Sequence, residues 1–345
     1  HWTHTINATS THDTKRSEDV RARINVLSEI PEEWEKQVKH WFELNQSKKV
    51  VIDELLIPDN NDEYFLYQNL LGAFPFDKKD YPEFVERIKQ YVVKAVREAK
   101  IHTAWLRPDT NYEEGFTTFV DRILSPGENN QFLEELQVFQ KRIASYGIFN
   151  SLSQNLLKIT TPGLPDFYQG TELWDLSLVD PDNRRPVDYE KRIEYLQAIK
   201  QRSQTDIIDL VTDLKANSTD GRIKLFLIER ALAARNQYLP VFQQGNYVPL
   251  SIIGQHQNHV IAFARHHEGI TAMIIVPRFL TSLIQPEDYP LGEEIWSDTH
   301  IKIPSDLQSN WKDAITNEIL LNSDAIPMGK ILKYFPVALL ISIES

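Results

Sequence analysis

The sequence predicts an α/β architecture that gives way to an all-β C-terminal region, and three observations carry that expectation. From Pro31 to about Gln131 the hydrophobic period is helical, and beyond Gly245 it changes to two. A long helical stretch, about Gln131 to Ile159, runs through Thr160-Thr161-Pro162-Gly163 into a short apolar segment, Leu164 to Tyr168, closed by Gly170. Helix, tight turn and buried strand in that order are the repeating unit of a parallel α/β sheet or barrel. The final hundred residues hold short apolar runs separated by turn residues, the pattern of an antiparallel β-sandwich.

Taken in order, His1 to Thr11 shows no helical period and reads as a strand running into a loop. Ser17 is placed to cap a helix starting near Glu18, so residues 1–30 form a strand with its following loop and helix. Residues 31–130 read as an all-helical subdomain. Trp34, Val38, Trp41, Phe42 and Leu44 recur at helical spacing, as do Phe84, Ile88, Tyr91, Val92 and Val96, and Pro58, Pro75, Pro82 and Pro108 punctuate the helices. Residues 131–240 continue as helix, strand and helix, with further helices over Tyr189 to Arg202 and Gly221 to Tyr238. Residues 241–345 form the sandwich. Val260, Ala262 and Ala264 alternate there, and the runs Ile270 to Val276 and Phe335 to Ile341 read as buried strands. No internal repeat or low-complexity tract interrupts this order.

Composition narrows the function classes. The 345 residues suffice for two or three domains with buried cores, and no apolar run reaches the length of a bilayer span. The absence of cysteine excludes disulfides and thiolate metal sites and fits a cytoplasmic location. A net charge of −12, from 37 basic against 49 acidic residues, argues against nucleic acid or an anionic membrane as partner. It is neutral toward an uncharged ligand such as a sugar. No secretory leader is visible, although the chain starts at His1 rather than Met and a preceding part can have carried one.

Three clusters can carry chemistry. The densest is Thr9-Ser10-Thr11-His12-Asp13-Thr14-Lys15-Arg16-Ser17-Glu18-Asp19, placed where a strand ends and a helix begins. In a βα barrel that end of the strand faces the active site. A carboxylate beside an imidazole can hydrogen-bond vicinal sugar hydroxyls and offset positive charge developing on the ring. The plain alternative is a helix-capping loop with solvated charges. The second cluster, Gly163 to Leu173, offers Asp166 and Glu172, acids near a strand end that are more often salt-bridged than catalytic. The third, Ser177 to Asp188, brings Asp180, Asp182, Asn183, Arg184 and Arg185 into one loop, which suits either hydroxyl binding or internal salt bridges. The ten histidines show no metal-ligand spacing, so no metal is expected, and neither a phosphate loop nor a nucleophile elbow is present. Trp105 can stack on a sugar, but a lone tryptophan more often packs in a core.

In order along the chain these clusters resemble the α-amylase superfamily. His12 and Asp13 match its His-Asp pair after the seventh barrel strand, and Gly163, Pro165, Tyr168, Gly170 and Glu172 match the Gly-x-Pro-x-x-Tyr-x-Gly-x-Glu pattern of the eighth. Ala8 to Arg23 and the run from Pro162 to Tyr189 more closely resemble the maltooligosyltrehalose synthase family, which carries a helical insertion between those two strands where residues 31–130 would lie. The resemblance covers essentially the whole chain. It implies the C-terminal part of a (β/α)8 TIM barrel with a helical insertion, followed by the sandwich.

The resemblance also implies an activity: intramolecular transglycosylation of the reducing-end α-1,4-linked glucose of a maltooligosaccharide into an α,α-1,1 (trehalose) linkage. The substrate would be a maltooligosaccharide or linear α-1,4-glucan, and no cofactor is called for. Asp13 would stabilise the transition state and His12 would hold sugar hydroxyls. Lys15, Arg16, Asp180, Asp182, Asn183 and Arg184 would contact substrate. The superfamily's nucleophile and acid/base follow the fourth and fifth strands, which would precede His1, so the chain is expected to lack them. Rival readings are another superfamily hydrolase or glucanotransferase, told apart by reaction products, and a non-catalytic glucan-binding module.

Overall fold

The computed structural model describes residues 4–127 and 129–343. The expected N-terminal strand is short, β1 (Ile6–Ala8), and residues 1–3 of that segment lie outside the described residues. The chain divides into two compact units. One comprises His12–Gly147 with Leu176–Arg185. The other comprises the described residues before His12, Ile148–Asp175, and the chain from Pro186 onward.

In the first unit, α1 (Glu18–Val26) begins where expected, and Ser17 occupies the cap position without a side-chain capping bond. α2 (Pro31–Asn45) follows, with Trp34, Val38 and Trp41 buried. The subdomain is not all-helical. Val50–Ile52 (β2) and Leu55–Ile57 (β3) form an antiparallel hairpin. Its two central residues, Asp53 and Glu54, both have positive φ (48° and 65°). That is the backbone twist of a tight hairpin turn, reached without the Asn-Gly or Asp-Gly signature that would have announced it. The β-branched and aliphatic residues on either side supply the strands.

Next come α3 (Asn60–Ala73), α4 (Tyr81–Ala99) and α5 (Thr110–Leu124). The prolines mark their starts. Pro58 and Pro108 each precede an aspartate whose carboxylate caps the next helix: Asp59 accepts from the Asp62 amide at 2.8 Å and Asp109 from the Tyr112 amide at 3.1 Å. Pro82 lies in the first turn of α4, where a missing N–H costs nothing. Val20 and Ile24 of α1 pack against Gly72 of α3. Trp34, Trp41 and Tyr67 build an aromatic core with Phe132 and Phe139 from α6 (Gln131–Thr160), with neighbouring ring centroids 5.3–6.0 Å apart. Inside this core Lys49 Nζ meets Glu63 Oε2 at 2.6 Å, and Tyr67 donates to the same carboxylate.

In the second unit, β1 pairs in parallel with β4 (Leu164–Asp166), Ile6 opposite Leu164. Both of those side chains are exposed, at 68% and 60%. Gly163 makes the entry to β4 possible. Its φ is +117°, and a Cβ there would stand 2.7 Å from Thr5 O, the carbonyl that accepts the Leu164 amide at 2.8 Å. The end of α6 is closed by two buried guanidiniums. Arg235 donates to Ile159 O and Gly163 O at 2.5 and 2.6 Å, and Arg265 to Thr160 O and Gly245 O at 3.2 and 2.8 Å. They satisfy carbonyls that a helix end leaves without partners.

α7 (Tyr189–Thr205), α8 (Ile207–Ala216) and α9 (Arg222–Gln237) lead to the sheets, and α8 was not anticipated. The strands are β5 (Asn246–Pro249), β6 (Ile252–Ile253), β7 (Val260–His267), β8 (Ile270–Pro277), β9 (His300–Lys302), β10 (Asn310–Asp313), β11 (Ile319–Leu320), β12 (Ala325–Pro327) and β13 (Ala338–Ile343). They form antiparallel sheets ordered β11-β10-β13-β8-β7-β5 and β12-β9-β6. Ala262, Met273 and Leu340 of the larger sheet share one buried cluster with Ile301 and Ile326 of the smaller, together with Trp296. Phe335 to Val337 is buried but precedes its strand, which starts at Ala338.

The Gly163 turn gives a direct check. Gly163→Ala places a Cβ in a left-handed backbone and against Thr5 O, and is expected to lower the unfolding free energy by about 1–3 kcal/mol. Gly127→Ala, where a Cβ meets nothing within 4 Å, should leave the melting temperature unchanged. Denaturant unfolding of the two variants beside the wild type measures the difference.

Candidate functional site

Helix α4 has two working faces. Phe84, Ile88, Tyr91, Val92 and Val96 are buried at helical spacing. Glu83, Arg87, Lys94 and Glu98, at intervals of four, seven and four, fall in a row along another side. Two of the predicted clusters dock on that charged row.

Lys15 Nζ sits 2.8 Å from Glu98 Oε2, and this contact, followed by burial acting the other way, leaves the Glu98 carboxyl below its ordinary range. Lys94 donates to the Asp180 carbonyl and lies 3.8 Å from Glu98 Oε1. Arg87 grips the Ser177 to Arg185 loop. Its Nε donates to Asp182 Oδ1 at 2.7 Å, and its Nη2 donates to Asp182 Oδ2 and to Leu176 O, both at 2.8 Å. The Leu178 amide donates to Asp182 Oδ2 at 2.7 Å, and Arg185 Nε lies 3.2 Å from Oδ1. Burial alone would push the Asp182 carboxyl up, but the hydrogen bonds and charges of Arg87 and Arg185 outweigh it and hold the group below the usual carboxylate range.

The two clusters are also joined to each other. Asn183 Nδ2 donates to the His12 carbonyl at 2.9 Å, the Ser17 amide donates to Ser177 O at 3.0 Å, and Arg16 and Leu178 form an antiparallel bridge. His12 and Asp13 project from the segment so held. His12 Nε2 is 3.2 Å from Asp13 Oδ2, and the Asp13 side chain is 84% exposed. Asp13 does not cap α1, because that position is taken by Ser17.

The predicted residues therefore separate by environment. His12, Asp13, Lys15, Asp180 and Arg184 reach solvent, the last two as an ion pair at 3.1 Å. Asp182, half-buried with its side chain 11% exposed, and Asn183, buried, are engaged within the protein. Arg16 turns inward as well, giving Nε to Asn69 Oδ1 at 2.8 Å with its guanidinium 5.1 Å from the Phe65 ring centre. In the second unit Glu172 pairs with Arg192 at 3.1 Å, the structural role expected of an acid near a strand end, and Asp166 is exposed at the end of β4.

Arg87, Lys94 and Glu98 were missed by sequence reasoning, which used only the apolar period of α4. Their spacing along the same helix was the available signal. Trp105 is not a core residue: it is 54% exposed, with the Arg97 guanidinium 4.9 Å from its ring centre. Arg97 is in turn fixed to Glu113 by bonds of 2.7 and 2.6 Å.

One group of metal-ligand type also forms in space. Asp59, Asp62 and His102 bring ligand atoms within 4.8 Å of one another. These atoms already serve the fold. His102 Nε2 meets Asp59 Oδ2 at 2.7 Å, Asp59 caps α3, and Tyr112 donates to Asp62. A helix N-terminus also disfavours a cation. The sequence spacing hid this group because 43 residues separate Asp59 from His102.

The surface of this unit therefore presents an imidazole and a carboxylate side by side, with the Lys15–Glu98 pair two residues further along the same segment. The chain is related along its whole length to the maltooligosyltrehalose synthases. It is 32% identical over 340 residues to a Mycobacterium tuberculosis (strain H37Rv) protein that bears the name maltooligosyl trehalose synthase, a match covering 99% of this chain and 38% of that one. Maltooligosyltrehalose synthase from Arthrobacter ramosus superposes with a TM-score of 0.77 at 29% identity, covering 99% of this chain and 39% of that one. A Sulfolobus tokodaii structure described as a hypothetical maltooligosyl trehalose synthase gives 0.68 at 32% identity, covering 98% and 38%. No family model matches. The chain thus spans about two fifths of the length of these relatives. No helix among the described residues is long and apolar enough to cross a membrane.

The acid response of the loop follows from the depressed Asp182 carboxyl. A group whose pKa is lower folded than unfolded stabilises the fold above its unfolded value, about 4, and that contribution is lost as pH falls through the folded value. Melting temperatures of wild type and Asp182→Asn should differ most near pH 6 and converge below about pH 4. A gap that stays constant across this range would contradict the assignment.

Proposed function

We propose that this chain is the C-terminal portion of a maltooligosyltrehalose synthase, and that the intact enzyme converts the reducing-end α-1,4-linked glucose of a maltooligosaccharide into an α,α-1,1 linkage. The observation that carries the reading is the exposed His12–Asp13 pair, held on a segment that other residues anchor at both ends. The whole-length relationship to proteins of that name supports it. In this reading β1 and β4 are the last two strands of a parallel barrel, which accounts for apolar side chains left bare on both. The two antiparallel sheets after Gly245 form the β-sandwich that follows it. A cytoplasmic location fits the cysteine-free composition.

The chemistry is a retaining transfer. A carboxylate attacks the anomeric carbon, a paired acid protonates the leaving oxygen, and the anomeric hydroxyl of the released glucose then displaces the enzyme carboxylate. Two inversions at one carbon preserve the α configuration. The nucleophile and the acid/base belong to parts of the enzyme outside this chain. Asp13 hydrogen-bonds donor hydroxyls and opposes the positive charge that grows on the ring, while His12 holds a neighbouring hydroxyl. Lys15, steadied by Glu98, contacts the acceptor glucose, with Asp180 and Arg184 at the rim. Asp182, Asn183 and Arg16 act from behind, by shaping the loops. Rearrangement outcompetes hydrolysis only if the cleaved glucose stays bound while water is kept out.

Asp13→Asn in the intact enzyme tests the site. The substitution keeps size and most hydrogen-bonding geometry but removes the charge, and turnover on maltopentaose should fall on the order of a hundredfold to a thousandfold. Because Asp13 is exposed and caps no helix, the melting temperature should stay unchanged. Near-wild-type turnover in the folded variant sinks the assignment.

A further inference from the structure

We infer that Arg87, on the helical insertion and remote in sequence from both clusters, is the positioning residue of the candidate site, acting through Asp182 and Asn183 to set where His12 and Asp13 stand. The inference rests on reading His12 and Asp13 as the site and adds the group that aligns them.

The case is a continuous line of contacts within one unit. Arg87 gives two parallel hydrogen bonds to the Asp182 carboxylate, a geometry that fixes both distance and plane. Its side chain is 13% exposed and that of Asp182 11%, so the pair is shielded from water and from salt. Each Asp182 oxygen already has two partners, Arg87 and Arg185 on Oδ1, Arg87 and the Leu178 amide on Oδ2. That carboxylate has little capacity left for a sugar hydroxyl, and its role is to be held.

What it holds is the loop whose next residue, Asn183, donates to the His12 carbonyl. The other end of the loop accepts the Ser17 amide at Ser177 O and bridges Arg16 through Leu178. The segment from His12 to Ser17 is therefore suspended at both ends from a loop that Arg87 clamps. No other member of the α4 row replaces the clamp. Lys94 makes one bond to the Asp180 carbonyl, and Glu83 reaches the loop through Arg185, which is 42% exposed. A lysine at position 87 would keep the charge but lose the fork.

A purely structural Arg87 would affect stability alone, so the test reads His12 itself. In the 345-residue chain labelled at histidine, the imidazole cross-peak of His12 is assigned by its loss in His12→Gln. It is then followed in Arg87→Met, Arg87→Lys, Asn183→Ala and Arg185→Met, with a melting curve for each. The expected result is a shifted or broadened His12 peak in Arg87→Met and Asn183→Ala, a smaller change in Arg87→Lys, and none in Arg185→Met. In the intact enzyme Arg87→Met should lower kcat about a hundredfold, with KM changing much less, as a misplacement near 1 Å does. An unmoved His12 peak in folded Arg87→Met overturns the inference. If that variant does not fold, an unmoved peak in Asn183→Ala, which leaves the Arg87–Asp182 pair intact, overturns it equally. A silent His12 peak alongside an inactive Asp13→Asn enzyme rejects Arg87 and keeps the site. An active Asp13→Asn enzyme rejects the site and with it the positioning role.

Discussion

A guanidinium and a carboxylate taken out of water together are stable only while they face each other, since either one left alone in a shielded place is costly by several kcal/mol. Arg87 and Asp182 are in that position, and the arrangement of the first unit around them follows from it. The pair ties the loop before Pro186 to α4, the loop ties down the segment between His12 and Ser17, and Glu98 on the same helix row steadies Lys15. Two stretches far apart in sequence are thereby referred to one helix. That helix needs its own anchor, and the buried face from Phe84 to Val96 supplies it.

The same physics recurs in the second unit in service of the backbone. Arg235 and Arg265 are buried and direct their donors to carbonyls at the end of α6 and beyond. Burial, with the nearby charge of Arg235, lowers the Arg265 guanidinium to about 10. It stays charged near neutrality, as the partial negative charge of a helix C-terminus favours. In both units, then, a fork of N–H donors fixes the course of a turn, in the first beside the buried side chains of Leu178 and Val179.

Much of this was legible in the chain. Apolar periods located α2 and α4, helices were also expected where α7 and α9 stand, and the alternation and apolar runs after Gly245 located β7 and β8. The start of α1 after Ser17 and the turn at Gly163 were legible because Ser, Pro and Gly act through local preferences, although the Ser17 side chain makes no capping bond. The hairpin of β2 and β3 was not, because its turn places Glu54 at a positive φ where the Asp-Gly signature would have glycine. Trp105 was misjudged toward the core because hydrophobicity alone does not say whether a ring is covered, and here an arginine rather than apolar side chains lies against it.

The sequence by itself determined the identity of the chemical groups, their order, and the relationship to maltooligosyltrehalose synthases, since these depend on residue type and local spacing. Whether a charged residue faces solvent or another charge was left to the tertiary structure. Asp180 and Asp182 differ by two positions and share one loop, yet one reaches the surface beside Arg184 and the other is enclosed by Arg87. Nothing local separates them, because the deciding partner stands 95 residues away and is brought close only when α4 buries its apolar face.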